Sequence, residues 1–354
     1  MKIYFRADGN AKNGAGHLMR CLSIAEAMSG EEQALFLCAD EASAEFVRCR
    51  GKEAVCLHTD YSNMEEELPV LQNLWTEDEE RSILVDSYYV TDAYLETLRS
   101  YGTVFLMDDL QEHAYPVDAV INYNLYAKTA LYQKLYQRQD KMPRFYLGGA
   151  YIPLRKQFCG KPASLEKRVR RVLLTTGGGD VDNIAGAILD EIYCPNLEFQ
   201  VLVGRFSPHL KGWKARGERQ PNVHVLFDIQ DMASLMKQCD LAITAGGSTV
   251  YELAAAGIPF ICFAYARNQE ALVKCIGEKK LSLSAGNWHL EEEAVRKRIA
   301  ILVRRMCEEE NLRRRCVSNM CGVVDGKGAE RLANLLGKEQ DGEQIRAKQE
   351  ENFI

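Results

Sequence analysis

The feature that most restricts the fold of this chain is a regular alternation between short β-rich runs and stretches with helical spacing of apolar residues. In the first part of the sequence the runs KIYFRA, ALFLCA, SILVDS, TVFLMDD and DAVINYN are separated by helical patterns such as the one at 92–100. Strands that alternate with helices along a chain form parallel sheets covered by helices. The sequence therefore predicts an α/β fold with a mostly parallel sheet.

The alternation stops once and then starts again. Residues 156–170 are basic and polar without a sustained apolar period, and after them follow RVLLTTGGG, FQVLVG, VHVLF, LAITAGG and PFICFA. A length of 354 residues with 47% hydrophobic content is enough for two cores. We predict two doubly wound Rossmann-like domains, at 1–155 and 171–338, with a linker at 156–170 and a polar tail at 339–354.

Charge and cysteine usage narrow the class of protein. The net charge is −6 and the basic residues are scattered among acidic ones, so we expect no nucleic-acid partner. The twelve cysteines are dispersed and form no Cys-x-x-Cys pair, which favours reduced thiols in the cytoplasm and predicts no metal site. MKIYFRAD lacks the apolar run of a signal peptide, and no membrane insertion is expected.

The first strand leads into a glycine-rich loop and a helix. Gly14, Gly16 and His17 lie where DGNAKNGAGH meets LMRCLSIAEAM, whose apolar residues fall at helical spacing. Such a helix N-terminus offers backbone N–H groups to a phosphate, and its dipole favours a neutral His17 that can act as a base. The position alone fits a helix cap equally well. Met19 stands where a dinucleotide fingerprint needs a small residue, so we predict no nicotinamide and no other cofactor.

A second glycine-rich turn follows a strand in DLAITAGGSTVYELAAAGIPFICF. Its amides and hydroxyls suit a diphosphate, and a carboxylate one turn into the helix suits ribose hydroxyls. The candidate binding residues are Gly246, Gly247, Ser248, Thr249 and Glu252. Thr249 and Glu252 also have the spacing of a capping box, which would make Glu252 a helix cap instead.

Other polar residues also follow strands. Gly178 can bring backbone amides to a diphosphate, and Asn268 and Gln269 follow PFICFA at a carboxyl end, where open α/β sheets bind ligands. An ordinary turn and a plain loop are the alternatives for these three residues.

Three acidic residues end strands as well. Asp8 lies near His17 and can orient it or contact a sugar, but we favour a turn-forming role. A carboxylate pair such as Asp108 and Asp109 can serve as the acid and base of a glycosidase, but we expect these two to be solvated or bonded within their loop.

These motifs resemble those of known enzymes. AGGSTVYELAAAGIP in a C-terminal α/β domain resembles the nucleotide-binding motif of GT-B enzymes such as the MurG glycosyltransferase. A closer resemblance, over residues 1–330, is to the PseG family of UDP-sugar hydrolases and its spore-coat polysaccharide relatives. It is carried, in order, by RAD…GAGHLMRCLSIA, VDSYYV, MDDL, INYNLYA, LGGAYIPLRKQF, LLTTGGGDVDN, AITAGGSTVYELAAAGIP and ARNQ.

The resemblance implies a GT-B-like fold with a cleft between two domains, and hydrolysis of UDP-2,4-diacetamido-2,4,6-trideoxy-β-L-altropyranose in pseudaminic acid synthesis. It also implies that His17 activates water, that Tyr88, next to Tyr89, lies by the sugar, and that the Gly-Gly-Ser-Thr loop and Glu252 hold UDP. We expect direct attack of water at the anomeric carbon with inversion and without a metal. A GT-B glycosyltransferase with a non-water acceptor and a non-catalytic UDP-sugar binding protein are the alternatives.

Overall fold

The computed structural model describes residues 2–9, 15–28, 33–75, 80–177, 180–204, 207–227 and 229–337. Gly14, Gly178 and the predicted tail at 339–354 lie outside the described residues. The chain forms two compact units, which contain the described parts of Met1–Asn122, Lys128–Leu147 and Gly328–Ile354 in the first, and of Tyr123–Ala127 and Gly148–Lys327 in the second. No helix within the described ranges combines the length and apolarity that a membrane span requires.

Seven described strands form a parallel sheet in the first unit. They are β1 (Lys2–Ala7), β2 (Gln33–Cys38), β3 (Glu53–Cys56), β4 (Arg81–Asp86), β5 (Thr103–Met107), β6 (Ala119–Asn122) and β7 (Arg144–Leu147). Their order is β3-β2-β1-β4-β5-β6-β7, and all neighbours pair in parallel. Because the chain leaves β1 toward β2 on one side and later adds β4 on the other, the carboxyl ends of β1 and β4 form the switch point of the sheet.

Helices separate most of these strands and supply the rest of the first core. They are α1 (Gly16–Ala27), α2 (Glu41–Arg48), α3 (Leu68–Leu74), α4 (Asp92–Arg99) and α5 (Thr129–Tyr136). Every residue of β4 is buried, as expected for a strand inside a parallel sheet. On one face, Ile83 and Val85 share a core with Leu95 and Leu98 of α4. Alternate residues of the strands therefore point to different helical layers.

The second unit repeats the architecture with six described strands. They are β8 (Arg171–Thr175), β9 (Glu198–Leu202), β10 (Val223–Leu226), β11 (Leu241–Ala245), β12 (Phe260–Ala264) and β13 (Leu283–Asn287). The parallel order is β10-β9-β8-β11-β12-β13, with a switch point between β8 and β11. The helices are α6 (Ile184–Ile192), α7 (Leu210–Arg219), α8 (Met232–Lys237), α9 (Thr249–Ala256), α10 (Glu270–Glu278), α11 (Trp288–Glu308) and α12 (Glu310–Cys321).

Two internal segments, Tyr123–Ala127 and 148–170, lie with the second unit, although we had predicted 123–127 and 148–155 in the first domain and 156–170 as a linker. Tyr123–Ala127 follows β6, and the carbonyl of Leu125 accepts a hydrogen bond from Lys279 Nζ at 2.7 Å. The predicted linker at 156–170 is held by Arg313, a fully buried side chain that donates to a backbone carbonyl of this segment at 2.7 Å. Such contacts join distant parts of the chain, so the local composition does not encode them.

The last described helix, α13 (Gly328–Gly337), belongs to the first unit, whereas we had predicted it in the second domain. It packs against α1 and buries its apolar face there. Ser82 Oγ, on β4, donates a hydrogen bond to the carbonyl of Leu336 at 2.9 Å. The chain therefore returns to its first sheet after completing the second.

Candidate active site

Polar side chains gather at the switch point of the first sheet. Asp8 directly follows β1, Asp86 is the last residue of β4, and His17 is the second residue of α1. Gly16 begins α1, and a Cβ built there meets no atom within 4 Å. Ligands of open α/β sheets bind at such a point. A pocket lies here, lined by Asp8, His17, Tyr61, Asp86, Ser87, Tyr88 and Tyr89.

The His17 ring is paired with a buried carboxylate. His17 Nδ1 lies 2.6 Å from Asp86 Oδ1, and Asp86 is fully buried while His17 is 14% exposed. A neutral imidazole in this pair donates its Nδ1–H to Asp86, which leaves Nε2 as a proton acceptor. The N-cap of α1 is Ala15, without a side-chain cap hydrogen bond. His17 is therefore not the N-cap of α1, and its role as a base stays a prediction.

Arg20 holds the other side of Asp86. It follows His17 by three residues on α1, so both side chains project from the same face of the helix. Arg20 Nε donates to Asp86 Oδ2 at 2.5 Å, and Arg20 Nη2 donates to Asp86 Oδ1. Burial alone would raise the pKa of Asp86, but the charges of Arg20 and His17 outweigh it and hold that pKa well below its usual range. Asp86 is therefore a carboxylate that can stabilise a protonated His17.

Asp109 and Tyr88 complete a ring of contacts around His17. Arg20 Nη1 donates to Asp109 Oδ2 at 2.7 Å, and the Tyr88 hydroxyl donates to the same oxygen at 3.2 Å. The ring of Tyr88 meets that of His17 edge-on, with centroids 4.9 Å apart. Partial burial and the charge of Asp109 raise the pKa of Tyr88, so its hydroxyl remains a donor. Tyr88 is thus fixed next to the imidazole.

The neighbouring tyrosine has a different environment. Tyr89 packs edge-on against Tyr61, with ring centroids 5.5 Å apart, and its backbone N–H donates to Ser87 Oγ at 3.1 Å. Tyr88 is 50% exposed and Tyr89 is 38% exposed. Within VDSYYV it is therefore Tyr88 that contacts His17, while both rings offer aromatic surface to a ligand.

The two acidic residues after β5, Asp108 and Asp109, have different environments. We had expected Asp108 and Asp109 to be solvated or bonded within their loop. Asp108 does accept hydrogen bonds from two backbone N–H groups of its own loop, at 3.0 and 3.1 Å, and a third from Tyr132 at 2.8 Å. Asp109 instead accepts hydrogen bonds from Arg20 and Tyr88, which lie outside its loop, so the expectation is wrong for this residue.

Asp8 lines the pocket but is tied to the scaffold. Its Oδ1 accepts from the backbone N–H of Ala39 at 2.7 Å, and its Oδ2 accepts from Arg6 Nη1 at 2.5 Å. Arg6 is fully buried and also donates to Glu67 at 2.8 Å. Burial would lower the pKa of Arg6, but Glu67 and Asp8 raise it well above its usual value. These contacts favour the structural role expected for Asp8.

Sequence reasoning missed Asp86, Arg20 and Asp109, although all three lie inside the motifs VDSYYV, GAGHLMR and MDDL. A signal was available for each. Carboxylates that end two strands of one parallel sheet lie at the same edge. An Arg three residues after a His on a helix shares its face.

The Gly-Gly-Ser-Thr turn of the second unit leads from β11 into α9 at the switch point of that sheet. The N–H groups of Gly246 and Gly247 donate to the carbonyls of Phe263 and Ala245, both at 2.9 Å. The glycine amides therefore bind the protein itself, contrary to the expectation that they face a diphosphate. At the start of α9 this turn presents the backbone amides and the hydroxyls of Ser248 and Thr249 as donors.

The two glycines of the turn have different steric roles. A Cβ at Gly246 would lie 2.3 Å from Cγ2 of Val273 on α10, so this position requires glycine for close packing. A Cβ at Gly247 meets no atom within 4 Å. Gly247 therefore leaves open space beside the turn.

Glu252 lies in the first turn of α9 but is not part of a capping box. The N-cap of α9 is Ser248, so Thr249 does not hold the position that the box requires. Glu252 Oε1 accepts a hydrogen bond from Arg155 Nη2 at 2.7 Å, and the two side chains are 15% and 25% exposed. Burial raises the pKa of Glu252, and Arg155 partly offsets this effect. The sequence did not point to Arg155.

The remaining candidates lie at the same edge of the second sheet. Asn268 and Gln269 belong to a short 3-10 helix, Arg267–Gln269, after β12. Gln269 Oε1 accepts from the backbone N–H of Tyr265 at 3.1 Å, which stabilises the loop, whereas Asn268 is exposed. Gly177, the described neighbour of Gly178, has φ +100°, a conformation that favours glycine.

The described side chains were also compared with the requirements of metal sites and disulfides. Within the described ranges, no group of three His, Cys, Asp or Glu side chains is arranged to hold a metal ion. The twelve cysteines are free thiols. Metal independence of the reaction remains a prediction.

Comparison with known proteins supports the resemblance. Residues 173–299 match the glycosyltransferase family 28 C-terminal domain. The chain is 25% identical to the spore coat polysaccharide biosynthesis protein SpsG of Bacillus subtilis, covering 95% of this chain and 98% of that protein. It is 22% identical to the UDP-2,4-diacetamido-2,4,6-trideoxy-beta-L-altropyranose hydrolase of Campylobacter jejuni, covering 79% of this chain and 97% of that protein.

Solved structures bear on the fold alone. MurG of Acinetobacter baumannii superposes with a TM-score of 0.67 at 12% sequence identity, covering 96% of this chain and 99% of MurG. Together with the two parallel sheets, this confirms the predicted fold class of two Rossmann-like domains of the GT-B type.

Proposed function

We propose that this chain is an enzyme that hydrolyses a UDP-activated diacetamido-trideoxy sugar to UDP and free sugar, in a pathway to nonulosonates of the pseudaminic acid type. The observation that carries the proposal is the pairing of His17 with buried Asp86 at the switch point of the first sheet. Similarity over 97% of the length of the Campylobacter hydrolase supports the choice of substrate class.

The dyad supplies a general base. His17 Nε2 takes a proton from a water molecule while the water oxygen attacks the anomeric carbon. The bond between that carbon and the phosphate oxygen breaks, and its electron pair leaves with UDP. Asp86 remains ionised and stabilises the imidazolium, which then returns its proton to solvent. One such displacement inverts the anomeric centre.

The sugar is proposed to bind in the pocket of the first unit. Its aromatic walls, Tyr61, Tyr88 and Tyr89, suit the apolar face of a deoxy sugar. The pocket carboxylates Asp8 and Asp86 are already paired with arginines, so a neutral ligand such as a diacetamido sugar fits better than a cation.

The nucleotide is proposed to bind in the second unit. Ser248 and Thr249 would donate to the diphosphate at the positive end of α9, which stabilises the charge that develops on the leaving group. Glu252 would accept from the ribose. Gly14, Gly16, Gly178, Asn268 and Gln269 are proposed as further residues around the substrate, and Gly247 as a residue whose missing side chain leaves room for it.

The decisive experiment incubates the purified protein with a panel of UDP-sugars, without any acceptor, in water enriched in ¹⁸O. NMR follows the release of UDP and identifies the anomer of the sugar that is released first. Mass spectrometry shows which product carries the ¹⁸O label. We expect one substrate to give inverted sugar that carries the ¹⁸O. Label in UDP would contradict attack at carbon, and no release from any UDP-sugar would contradict hydrolysis. Undiminished turnover in EDTA would support metal independence.

A glycosyltransferase with a non-water acceptor is the second candidate, and the match of residues 173–299 to the glycosyltransferase family 28 C-terminal domain favours it. UDP release that depends on an added sugar or lipid acceptor would support it over hydrolysis. Binding of the UDP-sugar without turnover under either condition would indicate a non-catalytic binding protein.

A further inference from the structure

One ion pair of the second unit lies at the proposed nucleotide site and has no part in the chemistry described so far. Arg155 Nη2 donates to Glu252 Oε1 at 2.7 Å, across 97 positions of sequence. The pair differs from the surface pair of Arg171 and Glu198, in which the side chains are 49% and 50% exposed. A contact that is mostly removed from solvent restricts both partners more strongly.

Arg155 is itself held in place. Its guanidinium carbon lies 5.3 Å from the ring centroid of Phe158, which is 2% exposed. The backbone N–H of Phe158 also donates to the carbonyl of Arg155 at 2.9 Å. The side chain and the backbone of Arg155 are therefore both fixed against the same buried residue.

Glu252 lies in the first turn of α9, and its carboxylate is held by Arg155 through a hydrogen bond of 2.7 Å. The ionised carboxylate of Glu252 has two oxygens with about four lone-pair sites, so it can accept from Arg155 and still accept from two vicinal hydroxyls. Burial raises the pKa of Glu252 and Arg155 lowers it, so the arginine also favours the accepting form.

We propose that Arg155 is a positioning residue that orients the Glu252 carboxylate toward the vicinal hydroxyls of a nucleoside diphosphate, and thereby sets the preference for ribose over 2′-deoxyribose. This inference rests on the proposed function, because it takes UDP as the ligand of the second unit. Arg155 itself need not touch the nucleotide.

The test compares the affinities of UDP and 2′-deoxy-UDP by titration calorimetry with the full chain. The variants are Arg155→Met, Arg155→Lys and Glu252→Gln, with Arg171→Met as the matched control that removes a surface Arg–Glu pair from the same unit. We expect the wild type and the control to prefer UDP by about tenfold to a hundredfold, the range of a hydrogen bond to a charged group.

Arg155→Met should reduce the ratio of the affinities for UDP and 2′-deoxy-UDP to nearly one, mainly by weakening the binding of UDP. Glu252→Gln should do the same, and the double variant with Arg155→Met and Glu252→Gln should lower the preference no further, since both residues act through one contact. Arg155→Lys, which retains the charge, should recover part of the preference. It also keeps the test informative if the methionine variant does not fold, as judged by circular dichroism.

A preference for UDP that persists in folded Arg155→Met and Arg155→Lys would overturn the positioning role, even if both nucleotides bind more weakly. Such equal weakening would mean that Arg155 contacts the phosphates or supports the fold. If the wild type binds neither nucleotide, the proposed function fails together with this inference. If the wild type prefers UDP but the variants do as well, only the inference fails.

Discussion

At the scale of single residues, the proposed chemistry depends on two side chains that are 69 positions apart, His17 and Asp86. Replacement of His17 by Asn keeps a polar side chain but removes the proton acceptor. We expect turnover of the UDP-sugar to fall by about 10²- to 10⁴-fold, the usual contribution of a general base. The affinity for UDP should stay unchanged, because the residues proposed to hold it are in the second unit. Steady-state kinetics and calorimetry measure the two quantities.

The first unit offers a matched control for this variant. His113 Nε2 also pairs with a carboxylate, Asp92, at 2.8 Å, but both side chains are about half exposed and neither lines the pocket. His113→Asn should therefore turn over like the wild type. Equal losses in the two variants, or full activity of His17→Asn, would contradict the role of His17 as base.

Asp86 also gives a pH-dependent contribution to stability. Its pKa in the folded chain is held well below the unfolded value of about 3.9. A carboxyl of this kind stabilises the fold above its unfolded pKa, and the stabilisation is lost as the pH falls toward the folded pKa. We expect Asp86→Asn to be less stable than the wild type at pH 5, and the difference to shrink between about pH 4 and pH 3.

Urea unfolding at a series of pH values measures this difference. Asp92→Asn serves as the control, because Asp92 is 51% exposed and should contribute little at any pH. A destabilisation by Asp86→Asn that is as large at pH 3 as at pH 5 would show that the carboxylate charge is not the cause.

The sequence was a partial guide to these residues. His17 could be named as a candidate because it follows a glycine-rich loop at a helix start, although that position alone fits a helix cap equally well. Its partner could not, because the pairing of Asp86 with His17 requires β1 and β4 to be neighbours. Asp109 was assigned to its loop for the same reason. Strand order is a long-range property, and it decides which strand-end acids meet.

At the scale of elements, the apolar strands could be predicted because parallel strands are buried on both faces and read as unbroken runs, as in β4. Helix starts were less accurate. The apolar helical spacing of LMRCLSIAEAM begins at Leu18, but α1 begins at Gly16, because a glycine and a histidine in the first turn do not contribute to an apolar period.

The turn between β11 and α9 allows a test in which two adjacent glycines are compared. Gly246→Ala would place a Cβ 2.3 Å from Val273 Cγ2, and α10 must shift to relieve the contact. We expect a loss of about 1–3 kcal/mol in the free energy of unfolding, as for other overpacked sites. Gly247→Ala enters open space and should leave stability nearly unchanged.

Chemical denaturation of the two variants measures this difference. If both glycine variants lose stability equally, the turn as a whole and not the contact with α10 is sensitive to substitution. A stable Gly246→Ala variant would show that Val273 can move at little cost, and would contradict the need for glycine at this position.

At the scale of the whole molecule, two sheets could be predicted from two series of β-rich runs, but not the path of the chain between the units. Tyr123–Ala127 belongs to the second unit, although α5 and β7, which follow it in sequence, belong to the first. The last described helix, α13, belongs to the first unit again. These passages depend on which core each segment can join. Composition and periodicity describe a segment by itself, so they assign it to the unit that surrounds it in sequence.

Because α13 belongs to the first unit, we expect a substitution in it to destabilise the first unit and not the second, which precedes it in sequence. Leu332 of α13 is fully buried, and Leu332→Ala should cost about 2–5 kcal/mol, as for other large-to-small core substitutions. Because α13 packs against α1, hydrogen exchange should show lost protection in α1 and β4 and retained protection in α9 and α11. Leu290→Ala, at a side chain that is 69% exposed, should change neither unit. Loss of protection confined to the second unit would contradict this assignment, since the first core would then be independent of the end of the described chain.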